Sequence, residues 1–230
     1  MSGGAEEQGS SGAAGQGREQ DRSRPPRSSA PLVIGLTGNI ASGKSTVLAL
    51  LAALGADTID ADQEVHALYA PGTPVSTAIG AAFGPGVLTP AGGVDRRALG
   101  AIVFADPARL RQLEAIVHPA VRQRIEARIA ASRAPVIVVD AIKLIEGGLA
   151  DRCDSVWVVT CTPAQQLARL MARDGYDRAE AERRIAAQPP QAEKVARADV
   201  VIDNSGSREA TAAQVRAAWA RHVAPRLRQP

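Results

Sequence analysis

Lysine is nearly absent from this sequence. Of 27 basic side chains, only Lys44, Lys143 and Lys194 are lysines; arginine supplies the rest. With generic positive charge left to arginine, these three are the places to ask whether a compact ammonium is needed. Cysteine is equally sparse. Cys153 and Cys161 are too few for a disulfide framework and lack metal-ligand spacing, which excludes a disulfide-stapled secreted class and makes a reduced cytosol the expectation. The longest purely aliphatic runs, such as 136–139, fall far short of the roughly 20 residues of a membrane span. Aromatic residues number six, leaving Ala, Gly and Arg to dominate. A net charge of +3 gives no argument for nucleic-acid binding. What remains is a soluble cytoplasmic protein of 230 residues, one domain of about 200 plus extra chain.

The extra chain is at the start. Residues 1–30 contain no Val, Ile, Leu or aromatic and end in Pro25-Pro26 and a few polar residues. Such a stretch buries too little apolar surface to offset ordering entropy, so a disordered tail is expected. It has no apolar centre for a signal peptide, and Glu6, Glu7, Glu19 and Asp21 do not suit a transit peptide. From Pro31 onward, β-rich runs are expected as strands at 32–37, 57–60, 135–140, 155–160 and 198–202. Helical periodicity fills 45–54, 61–70, 75–83, 95–104, 107–132, 163–174, 178–187 and 208–223, with Pro163 suited to a first turn and Ser207 to an N-cap. Alternating strands and helices imply an α/β fold, a five-stranded parallel sheet covered on both faces. The reading places an ordered domain at 31–226, with its core at 31–74, 133–162 and 198–226. Helical blocks at 75–132 and 163–197 interrupt the alternation, where such sheets bind ligands.

Gly38-Asn39-Ile40-Ala41-Ser42-Gly43-Lys44-Ser45 fits G-x4-G-K-[ST] between a strand and a helix, the context this pattern requires. Glycines let the backbone curl so that successive amides face a phosphate, and the following helix N-terminus adds partial positive charge. Lys44 is placed to reach the outer phosphates and the Ser45 hydroxyl to ligate Mg²⁺, with Thr46 closing the cradle. No guanine-reading N-K-x-D motif is present, and the run 136–139 ends in a lone Asp140 rather than a tandem acidic pair. A small kinase acting on a metabolite fits these facts. Beside the cradle, Asp60 and Asp62 end a strand and start a helix. One can orient a hydroxyl for in-line attack while the other caps the helix.

The ordered set of motifs resembles the dephospho-CoA kinase family. It runs from the cradle through Leu54-Gly55, Ile59-Asp60-Ala61-Asp62, Phe83-Gly84, Asp95-Arg96, Leu99, Val103-Phe104, Leu113, Ile116 and His118-Pro119. It resumes at Arg173-Asp174, Gln188, Lys194, Ala198-Asp199 and the stretch from Val201 to Gly206, so that it spans about residues 32–219. The resemblance implies a P-loop kinase that uses ATP and Mg²⁺ to phosphorylate the ribose 3′-hydroxyl of dephospho-CoA. It implies further that Asp62 activates that hydroxyl, that 75–132 is the CoA-binding insertion and that 163–197 is the lid. Arg169 is then the lid arginine best placed for the transferred phosphoryl group, sharing a helix face with Arg173, while Arg178, Arg183 and Arg184 are expected to pair with Glu180 and Glu182. Asn204, at the edge of the last strand, is expected near the adenine.

His118-Pro119 is expected to break a helix, with the imidazole making a local hydrogen bond or lining the acceptor cleft rather than catalysing. One segment departs from the family pattern Asp-x-Pro-Leu-Leu-x-Glu: here it reads Asp140-Ala-Ile-Lys143-Leu-Ile-Glu146. Lys143 there has three possible partners: Asp62, a substrate phosphate or solvent. The other readings are a different small-metabolite or nucleoside monophosphate kinase, and a non-catalytic P-loop nucleotide switch. The expected partner is a small molecule, with neither nucleic acid nor membrane, and the chain is expected to act as a monomer.

Overall fold

Six consecutive buried residues, Leu32–Thr37, form strand β1, and only a strand covered on both faces buries such a run. The computed structural model describes residues 30–228, so the tail expected over 1–30 lies outside the described residues except for Ala30. Along the chain follow α1 (Lys44–Ala53), β2 (Asp57–Asp60), α2 (Ala61–Leu68), α3 (Pro74–Phe83), α4 (Arg96–Val103) and α5 (Pro107–Ala131). Then come β3 (Val136–Asp140), β4 (Ser155–Thr160), α6 (Pro163–Asp174), α7 (Arg178–Ala186), α8 (Gln191–Val195), β5 (Val200–Asp203), α9 (Arg208–His222) and α10 (Ala224–Leu227).

All strand pairs are parallel, in the order β2-β3-β1-β4-β5. Successive side chains of a strand point to opposite faces, and the two hydrophobic clusters divide accordingly. Val33, Ile137, Val139, Val156 and Val158 pack on the α2–α5 side. Ile34 belongs to the other face, where it joins Leu32, Leu36, Val136, Val138, Trp157 and Val159 against α1 and α9. The expected three-layer α/β architecture with a five-stranded parallel sheet is therefore what the chain forms. β1 lies at the centre, and its C-terminal end feeds the glycine loop at the point where the strand order reverses, the usual ligand crevice of an open sheet.

Local signals set most boundaries. Pro163 occupies the first turn of α6 and Ser207 caps α9 by accepting from the Ala210 amide. Strand β5 starts two residues later than expected, and the short α8 was not foreseen. The expected helix break at His118-Pro119 is not found: Pro119 lies inside the continuous helix α5. An internal proline removes one hydrogen bond and costs roughly 3 kcal/mol. Val117, Val121 and Ile125, buried on both sides of it, keep the two halves docked along one line.

A buried carboxylate joins α5 to α2. Glu64 is 5% exposed and takes hydrogen bonds from Arg124 Nε and, at 2.8 Å, Arg128 Nη1, two arginines one turn apart on α5. The arginines are about half exposed, so losing Glu64 lets them return to water, whereas losing them strands a buried charge. The double change Arg124→Ala/Arg128→Ala is expected to lower unfolding stability in urea by about 3 kcal/mol, and Glu64→Gln by clearly less.

Candidate active site

The glycine loop is held by bonds to its outer rim. Ser42 N donates to Asn39 O at 3.1 Å, closing the turn, and Ala41 adopts φ 57°, an unusual value for a residue with a Cβ. Gly43 precedes α1 at φ 94°, and a Cβ there would lie 1.9 Å from Asn204 Nδ2, so position 43 demands glycine on both grounds. Loop carbonyls that face away from the cradle find donors elsewhere. Ile40 O accepts from Gln166 Nε2 at 2.9 Å, and Ser42 O from Asn204 Nδ2 at 3.0 Å and Arg169 Nη1 at 3.3 Å. Cys161 Sγ lies 3.9 Å from Ala41 O, its thiol pushed up by burial. Thr46 N donates to Gly43 O at 3.0 Å, and the amides of Lys44 and Ser45 ahead of it, which the helix itself cannot satisfy, are left to face a ligand. Ser45 is exposed at this helix end, and the buried atoms Asn39 Oδ1 and Ser42 Oγ have no hydrogen-bond partner among the described residues.

The carboxylates gather beside Lys44. The strand register sets Asp60 of β2 level with Asp140 of β3, next to Leu36 near the end of β1. Asp60 caps α2, its Oδ1 accepting from the amides of Asp62 at 2.9 Å and Gln63 at 3.1 Å. Of the two aspartates near the helix start, Asp60 is therefore the cap, and Asp62 in the first turn is left for the cleft. Desolvation at the cleft wall pushes the Asp62 carboxyl above the ordinary range, although the residue as a whole is accessible to solvent; Asp60 adds to the rise, and Lys44 and Arg96 oppose it. Asp140 Oδ1 sits 4.0 Å from Lys44 Nζ without a hydrogen bond. Burial raises the Asp140 pKa, Lys44 opposes the rise, and Asp60 and Asp62 reinforce it. Arg96, from the start of α4, is a further cation in this cluster, quoted in the family pattern but given no role there. Its role depends on the fold bringing α4 to α2.

The remaining expected residues are placed as follows. Arg169 reaches the loop and also donates to Asn204 O at 2.9 Å. Arg173 is instead engaged with its neighbour Asp174 through two hydrogen bonds. Arg178 pairs with Glu182, and Arg183 and Arg184 pair with Glu180, as expected. Asn204 is buried, with its Oδ1 accepting from Thr211 Oγ1 at 2.9 Å, so its side chain braces Gly43 from behind. Lys143 does not pair with Asp62: 60% exposed, it points largely to solvent and binds Glu114 of α5 at 2.9 Å. His118 lies beside Gly147, and burial lowers its pKa, with Lys143 and Arg122 adding to the fall and Glu114 opposing it. Sequence reasoning missed Gln166 and gave Gln188 only as part of the family pattern, without a role; both hold the loop from more than 120 residues away.

A central-strand glycine loop, a lysine among aspartates and an arginine reaching in from α6 define the class of P-loop kinases. The chain belongs to the dephospho-CoA kinase family, whose model matches residues 32–210. A dephospho-CoA kinase of Geobacter sulfurreducens is 52% identical over 192 residues, 82% of this chain and 98% of that protein. Among solved structures, TT1252 from Thermus thermophilus aligns with a TM-score of 0.74 at 36% identity, covering 84% of this chain and 99% of that one. A dephospho-CoA kinase from Campylobacter jejuni aligns with a TM-score of 0.59 at 26% identity, covering 80% and 94%.

The sign of the Asp140 shift makes a prediction. A carboxyl whose pKa is raised on folding costs stability while ionised, and that cost fades as pH falls toward the ordinary 3.8. Asp140→Asn should therefore melt at higher temperature than the parent at pH 7.5, the gap in Tm narrowing steadily on acidification.

Proposed function

We propose that the chain transfers the γ-phosphoryl group of ATP to the ribose 3′-hydroxyl of dephospho-CoA, giving coenzyme A and ADP. The observation that carries this reading is the coincidence, at the end of β1, of the phosphate cradle with an aspartate left uncapped in a family-matched Asp-Ala-Asp. The loop from Gly38 to Thr46 wraps the phosphates, binding them through those of its amides that no protein oxygen engages, and Lys44 neutralises their outer oxygens. Asp62, with Asp60 occupied at the helix end, accepts or orients the hydroxyl proton as the oxygen attacks phosphorus. Its raised pKa makes it a stronger base than an ordinary carboxylate while Lys44 and Arg96 keep the charged form accessible. Arg169, held beside the cradle by Ser42 O and Asn204 O, is one side-chain movement from the phosphoryl group whose charge it would stabilise.

The donor set fits Mg²⁺. Ser45 offers an exposed hydroxyl and Asp140 a buried carboxylate oxygen with no hydrogen-bond partner among the described residues, both hard oxygen ligands. Among the described residues no cluster of three His, Cys, Asp or Glu encloses a metal, which suits an ion that keeps its waters and shares phosphate oxygens. When bound it supplies charge neutralisation across the outer phosphates.

The block 75–132 serves as the acceptor insertion and 163–197 as the lid in this reading, with Asn204 behind the nucleotide. Arginines on α4 and α5 suit an acceptor that carries a pyrophosphate. The chain acts as a monomer on small molecules, without nucleic acid, and resides in the cytoplasm; no helix among the described residues is long and apolar enough to cross a membrane.

The direct test is mass-spectrometric detection of coenzyme A from dephospho-CoA and ATP, beside a panel of nucleoside monophosphates. Preference for a monophosphate would transfer the assignment to that kinase class, and nucleotide binding without turnover on any acceptor would favour a switch. Lys44→Ala is expected to abolish ADP release in a coupled assay while the circular dichroism spectrum is kept. Asp62→Asn is expected to lower kcat by about 100-fold or more with ATP affinity nearly unchanged; equal activity would move the role to Asp60 or Asp140.

A further inference from the structure

Lys194 is the most deeply buried of the three lysines, at 3% exposure. Its ammonium donates to Ile142 O at 2.6 Å and pairs with Glu146 at 2.9 Å. It stands on α8, at the end of the short stretch from Gln188 to Lys194. The other end of that stretch grips the phosphate cradle: Gln188 Oε1 accepts from Ile40 N at 2.8 Å, and Pro189 O accepts from Asn39 Nδ2 at 3.1 Å. Ile142 O is shared, since it also accepts from Thr37 Oγ1 at 3.1 Å. Thr37 is the last residue of β1 and the root of the same cradle.

These contacts close a ring. The chain runs from Thr37 to Ile40, crosses by hydrogen bond to Gln188, runs to Lys194, crosses to Ile142 and returns through its carbonyl to Thr37. The next residue along the departing segment, Lys143, binds Glu114 of α5 in the acceptor insertion. Leu144, fully buried, seats against Gly35 of β1, where an added Cβ would lie 2.6 Å from its Cδ2. The segment after β3 thus has one residue tied to the cradle and the next tied to the acceptor insertion. A guanidinium would not fit as well at position 194, where one carbonyl and one carboxylate meet a compact donor in a closed space.

We propose that Lys194 is a positioning residue that couples nucleotide occupancy to acceptor binding through this ring. Phosphate in the cradle orders Asn39 and Ile40; their bonds to Pro189 and Gln188 fix the strap; the strap's lysine fixes Ile142, and with it the Lys143–Glu114 contact on the acceptor side. The ring is the two-state element that both ligands bias, and the coupling is reciprocal. This inference rests on the reading of dephospho-CoA as acceptor.

The experiment is isothermal titration calorimetry of dephospho-CoA into the full chain, with and without a saturating non-hydrolysable ATP analogue. The expected result is that the analogue tightens dephospho-CoA binding by about fivefold or more. Lys194→Met should bring this factor to about one, while the analogue's own affinity is retained. Gln188→Ala, which removes the Ile40 bond at the cradle end of the ring and leaves Lys194 in place, should reduce the factor in the same way, and it carries the test if Lys194→Met does not fold. A wild-type factor of one, or full coupling in Gln188→Ala, overturns the proposal even if coenzyme A is made. If dephospho-CoA binds in neither state, the acceptor assignment fails and takes the inference with it.

Discussion

A loop that turns its amides inward to meet phosphate must turn carbonyls outward, and a carbonyl removed from water needs a donor. The rest of the site depends on how that requirement is met. Ile40 O and Ser42 O take side-chain donors from α6 and from the end of β5, and the Ile40 amide, which faces away from the cradle, gives its proton to Gln188. The loop is therefore not a free glycine hinge. It is fastened from behind by Gln166, Arg169, Gln188 and Asn204, which together bring helix α6, the chain before α8 and the last strand to one place. The left-handed Ala41, whose conformation costs on the order of 1 kcal/mol, is tolerated because its neighbours on both sides are fixed.

The same fastening explains the electrostatics beside Lys44. With the cradle fixed at the end of β1, the register of β2 and β3 sets Asp60 and Asp140 at the same level, and α2 begins immediately after. Three carboxylates then share one lysine. Two helix amides hold the Asp60 carboxylate in place. Desolvation first, and the neighbouring carboxylates after it, raise the pKa values of Asp62 and Asp140 against the pull of Lys44.

Contiguous features were legible in the sequence. The glycine loop carries its chemistry within eight residues, and Leu32–Thr37 or Val136–Asp140 read as buried strands because β-branched and aliphatic residues run unbroken. The family's Asp-Ala-Asp pattern was visible, but the division of labour between Asp60 and Asp62 required seeing which oxygen meets the helix amides. Pro119 misled because a proline is read locally, whereas α5 is held by buried side chains flanking the imide. Gln166 had no local signature, and Arg169 and Gln188 were named only through the family resemblance. Gln166 and Arg169 on α6 donate to loop carbonyls, whereas Gln188, just before α8, accepts from the Ile40 amide, and only the topology brings these contacts together.

The lysine scarcity has a physical reading once burial is known. Lys44 and Lys194 both place an ammonium in confined surroundings, one 14% exposed among carboxylates, the other almost sealed between a carbonyl and Glu146. A point charge with rotatable donors suits both, and a rigid planar fork would require space neither has. Lys143 is different: it is largely in water and meets one carboxylate at the surface, a contact that arginine would make equally well. The rarity of lysine thus points to function only where the side chain is enclosed. At position 143 it is Ile142, the neighbour whose carbonyl is shared by Thr37 and Lys194, that ties this family-departing segment to the phosphate site.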